Sequence, residues 1–280
     1  MRFRLIPSCN VYQLLRSIAP VFLQVVYSNP ILWSGSRDPT RIPFLNILAS
    51  EFHELAYFAT VDCTYAMASG LPQHVDYDTT FYRRPSIFAS HQWTHSSPIE
   101  FQLVLADINA CRDKSSTSVR ELEDIERWLL TWESQPGEYI FTESWMMVAW
   151  YAVQESWRLT LLVYLYLAVF DASSDDPRIQ SCVKQILQVV GTVKKRGPSD
   201  VNASFFSQYL MVGICAHSEA QRKLVRDKLA SEKETKLWLM RAADFVPVLD
   251  HLWCGAAADG RSVKWSDYIR SREAALPIVL

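Results

Sequence analysis

His91 and His95 stand four positions apart, the spacing that on a helix would present two imidazoles to one metal ion. Their neighbours Ser90, Ser96, Ser97 and Pro98 are loop residues, and the nearest further donors are His74, Asp76 and Asp78. The two histidines are therefore expected at the surface, without a metal. His53-Glu54 opens like the H-E-x-x-H zinc motif, but Tyr57 occupies the position of the second histidine. Gly255 to Ser262, G-A-A-A-D-G-R-S, comes within one residue of a phosphate-binding loop. Arg261 replaces the required lysine and a helical pattern precedes it where a strand is needed, which makes it a connecting loop. Asp175-Asp176 starts like an aspartate-rich magnesium box, yet Ile179 and Gln180 stand where further carboxylates must chelate. Capping the next helix suits Asp176 better. No G-x-S-x-G elbow, G-x-G-x-x-G turn or cysteine–histidine arrangement is legible. No catalytic, metal-ligating or DNA-binding residue is assigned, no cofactor is implied, and the protein is not expected to be an enzyme. Any ligand-binding residues stay open.

The six cysteines, Cys9, Cys63, Cys111, Cys182, Cys215 and Cys254, contain no C-x-x-C pair, and most sit in apolar helical stretches. Buried free thiols in a reducing compartment fit that pattern better than disulfides or zinc. Lys194-Lys195-Arg196 is either a short basic address or the cationic last turn of a helix before Gly197-Pro198. Arg222, Lys223, Arg226 and Lys228 form a face that is solvated or meets an anionic partner, diluted by Asp227. Over the whole chain 28 Lys and Arg nearly cancel 30 Asp and Glu, so the basic footprint of a nucleic-acid binder is absent.

These residues must be carried by helices. Hydrophobic content of 49% supports a sizeable core, and only 8 glycines argue against an all-β design. The 10 tryptophans are core anchors or the walls of an aromatic ligand pocket. Pro43 and Gly70 bracket a helix striped by Phe44, Leu48, Phe52, Leu55 and Phe58, apolar on other faces too and hence interior. Residues 71–96 form a long loop. Ser97-Pro98-Ile99-Glu100 starts a helix ending near Lys114, and Ser118 with Glu121 caps the next, whose apolar face is Val119, Leu122, Ile125, Leu129 and Trp132.

Thr142 caps the most hydrophobic helix, Trp145 to Phe170. Gln154, Glu155 and Arg158 sit at its centre, and each ion would cost about 2.5–3.5 kcal/mol in a bilayer, so it is a core helix and no membrane is expected. Asp176-Pro177 begins a helix striped by Ile179, Val183, Ile186, Leu187 and Val190. Helices over 201–216, 219–231 and 234–254 follow, the last restarting at an Asp244 cap because Pro247 cannot sit inside it. The fold class is all-α, a multi-helix bundle or stacked hairpins. Its organisation is an N-terminal extension or linker over 1–42, a helical domain over 43–273 and a tail over 274–280. The first 37 residues carry Arg2, Arg4, Arg16 and Arg37 and no acid, the composition of a mitochondrial presequence; the other reading is a linker or a truncated helix leading into the domain.

From residue 200 onward a particular order of features stands out: Leu210 to Ala216, Glu219 and Arg222 opening a charged helix, Val248-Leu249 with Leu252-Trp253, then Gly260 leading to Trp265-Ser266-Asp267. It resembles the second type of fungal-specific transcription factor domain, the helical regulatory region that accompanies a six-cysteine binuclear zinc cluster. The resemblance extends over 43–273. It implies a helical regulatory domain of a nuclear transcription regulator, with protein partners in the transcription machinery or a homodimer mate; whether a metabolite binds between the helices as effector stays open. The zinc cluster needs closely spaced C-x-x-C pairs, which this chain lacks, so sequence-specific DNA binding does not carry over. The resemblance then implies a truncated form or one lacking its DNA reader. A helical enzyme of unidentified class and a mitochondrial or scaffold helical protein are the other readings.

Overall fold

The computed structural model describes residues 7–33, 38–79, 97–114, 119–134, 144–193, 204–231 and 240–280. His91, His95, Ser118, Thr142 and Lys194 to Arg196 lie outside the described residues. The chain divides into two compact units, the first of residues 1–113, 236–241 and 278–280, the second of 114–235 and 242–277. Both are helical; the described residues contain one two-stranded sheet, in which β1 (Ile42–Pro43) pairs in parallel with β2 (Tyr77–Asp78). The all-α expectation holds.

The first unit contains α1 (Val11–Tyr27), α2 (Phe44–Leu48), α3 (His53–Ser69) and α4 (Ile99–Asp113). Helix α1, in the stretch taken from sequence as an extension or linker, buries Val11, Leu15, Ala19, Phe22 and Val26 along one face. Phe22 stacks on Phe58 of α3 at 4.4 Å. Burying each such large side chain contributes about 1.5–3 kcal/mol. Fourteen of the seventeen residues of α3 are buried, so it is the interior helix its all-round apolar pattern foretells. Gly70 ends it at φ 71°, a left-handed cap that glycine adopts without strain.

The single helix expected over 43–69 is two helices. The Ser50 hydroxyl donates to the Ile47 carbonyl at 2.8 Å and accepts the Phe52 N–H at 3.2 Å, replacing the helical ladder with a local turn. Phe52 consequently leaves the stripe and is 40% exposed. Helix α4 lies against α3, with Asn109 donating to the Cys63 carbonyl at 3.0 Å and Arg112 to the Ala66 carbonyl at 2.8 Å. Distant segments complete the unit: Ser8 Oγ accepts the Arg241 N–H at 3.2 Å, and the Cys9 carbonyl accepts the Val279 N–H at 3.0 Å.

The second unit contains α5 (Val119–Thr131), α6 (Ser144–Ala168), α7 (Pro177–Thr192), α8 (Phe206–Ile214), α9 (Glu219–Ser231), α10 (Val246–Cys254) and α11 (Trp265–Ala275). Helix α5 buries Ile125 and Leu129, with Trp132 just beyond its end, as its stripe requires. The core is α6, packed most extensively on α7. Among the described residues no helix is long and apolar enough to cross a membrane. On α6, Arg158 forms a two-pronged pair with Glu155 and donates to the Leu129 carbonyl of α5.

Asp176 caps α7, its carboxylate accepting the Arg178 N–H at 2.9 Å with Pro177 in the first position. The start of α10 differs from the Asp244 cap expected. Residues Ala242–Phe245 form a 3-10 turn that runs straight into the helix, so the N-cap is Phe245 and no side chain caps it. Pro247 sits in the first turn, where its missing N–H costs nothing.

Candidate functional site

The motif residues of α8 to α11 meet at one junction in the second unit. Gly213 is where α8 touches its neighbours: a Cβ there would lie 2.6 Å from Leu249 Cδ1 and 3.0 Å from Val225 Cγ1. The Gly213 carbonyl accepts the Trp253 indole N–H at 2.9 Å, pinning α10 to α8 through a buried bond. Arg222, at the start of α9, donates to the carbonyls of Ala216 at 3.3 Å and Ala257 at 2.6 Å and pairs with Glu219 at 2.9 Å. It is only 5% exposed. Arg226 lies over the Trp253 ring, 5.2 Å from its centre, and pairs with Asp250 at 2.6 Å.

The connections between these helices are tied to one another. The Ser174 N–H donates to the Val263 carbonyl at 2.8 Å, and its hydroxyl accepts the Val263 N–H at 3.0 Å. The same hydroxyl lies 3.3 Å from His217 Nε2. Gln180 donates to the Ser174 carbonyl at 2.6 Å and the Cys215 carbonyl at 3.2 Å. Gly260, at φ 75°, passes so close to the His217 carbonyl that a Cβ would sit 3.0 Å from its oxygen. Trp265 packs edge-on against Tyr164 at 5.3 Å, and Asp267 accepts the Lys264 N–H at 2.9 Å to start α11. The α6–α7, α8–α9 and α10–α11 connections are thereby joined to one another by hydrogen bonds of Ser174 and Gln180. Ser174 is buried, with its hydroxyl engaged, and is not poised as a nucleophile.

The basic face expected on α9 is smaller than its spelling. Arg222 points into the junction and Arg226 is paired, while Lys223 and Lys228 are exposed. Gly255 to Ser262 connects α10 to α11, with Arg261 curled onto the Ala258 and Gly255 carbonyls at 3.1 and 3.0 Å.

A second polar cluster lies in the first unit. The buried Asp62 carboxylate of α3 accepts the His74 and Val75 N–H groups at 3.0 and 3.3 Å, the Tyr77 hydroxyl at 3.3 Å, and lies 2.8 Å from His74 Nδ1. Tyr12 of α1 packs against the imidazole, ring centres 4.2 Å apart. Burial first, and then the Asp62 charge, push the Tyr77 hydroxyl and the Cys63 thiol well above their ordinary ranges. His74 is thus a strap holding the segment after Gly70 onto α3. Asp76 turns away to Arg41 at 3.5 Å. Among the described residues no three His, Cys, Asp or Glu side chains converge as a metal site.

Of the cysteines, Cys63, Cys182 and Cys215 are buried, Cys9 and Cys111 half-buried and Cys254 exposed, all as free thiols. Burial raises Cys182 to about 11. Neither the Asp62–His74 strap nor the Ser174–His217–Val263 tie was found from sequence. Their members are separated by up to 89 positions and share no periodic signal.

The comparison with known families points the same way. Residues 55–277 match the family described as fungal specific transcription factor domain, and the matched stretch ends just beyond α11. No curated protein and no solved structure matches the chain. With well over half of its length matched, the chain belongs to the fungal specific transcription factor domain family.

Proposed function

We propose that this chain is the regulatory, non-DNA-reading part of a nuclear fungal transcription regulator, working through contacts with proteins of the transcription machinery or with a second copy. The observation that carries this reading is the fate of the motif residues. Gly213, Arg222, Trp253 and Gly260 are spent on holding helices together, the job of a scaffold that presents surfaces to partners. The remaining cations of α9, Lys223 and Lys228, offer about two phosphate contacts, for a salt slope near −1.8 at about −0.9 per contact. That supports weak, sequence-independent attraction and nothing tighter.

Two measurements test it. Fused to an unrelated DNA-binding module in a fungal cell, the whole chain should raise or lower a reporter carrying that module's site. A reporter indistinguishable from the module alone would sink the regulatory reading. Titrated against a promoter fragment and scrambled DNA at physiological salt, the chain should not discriminate between them. A thousandfold preference for the promoter would mean that a helix here reads bases.

A further inference from the structure

We draw no further inference here: the strongest candidate, the apolar stripe of Leu14, Ile18, Val21 and Val25 on the outer face of α1, carries nothing because nothing in the structure shows what covers it.

Discussion

Trp253 does two things at once. Its ring fills the space between α8 and α10 and lies under Arg226, while its N–H satisfies the Gly213 carbonyl. Trp253→Phe keeps most of the packing and removes one hydrogen bond to the Gly213 carbonyl, which still accepts the Ala216 N–H at 3.3 Å, so about 0.5–1.5 kcal/mol should be lost. Trp253→Ala should lose about 3–5 kcal/mol, a large share of a typical total stability of about 5–15. Urea midpoints read both, and an alanine midpoint equal to the parent's would place this side chain outside the cohesive core. The thiols give a prediction in pH. Cys182 holds its proton to about 11, raised above the ordinary value of 9.0 that the unfolded chain shows. The neutral native thiol therefore contributes stability in full below pH 9, and that contribution is lost as pH rises from 9 toward 11. A shift of two units amounts to about 2–3 kcal/mol. Parent and Cys182→Ala should accordingly differ less in stability at pH 11 than at pH 8, and a constant difference would show the thiol to be solvated. Alkylation of the native protein at pH 8 should label Cys254 and spare Cys63, Cys182 and Cys215.

Helix ends were legible where one side chain does the capping. Asp176-Pro177 announces α7, and Gly70 closes α3 in the left-handed conformation its position requires. Asp176→Ala should cost about 0.5–2 kcal/mol, since it removes the acceptor for the Arg178 N–H. Arg178→Ala, which keeps that N–H, should cost less, although it also loses the guanidinium stacked 4.3 Å over Tyr166. Equal losses in the two variants would assign the effect to the ion pair. What was not legible follows a physical rule. A periodic stripe gives the buried face of a helix but is blind to a side chain that competes for the backbone, so the Ser50 turn splits a helix whose stripe runs on unbroken. Likewise a proline warns that a helix begins anew, but not whether the entry is an extended cap or the 3-10 turn found before α10. The junction residues were visible as packing types in the order of their family. Their convergence was invisible, because Ser174 and Val263 are 89 positions apart and no periodic signal links them.

The two units are not two segments of chain. The path leaves the first unit after Asp113, returns for residues 236–241, and returns again for 278–280. A fragment of residues 1–113 would lack the Arg241 and Val279 N–H groups that meet Ser8 and Cys9. It should unfold at lower temperature than the intact chain, or show no cooperative transition by circular dichroism. A fragment melting cooperatively at the parent's midpoint would show the returning segments to be dispensable. The same threading sets an order of events at the ribosome. The unit whose synthesis begins first is closed last, because Val279 emerges after all of the second unit has been made. At about 5–20 residues per second the wait between Asp113 and Val279 lasts on the order of tens of seconds. During that time the first unit stands without the bonds that the Arg241 and Val279 N–H groups make to Ser8 and Cys9, an interval in which chaperones and proteases meet an unclosed unit.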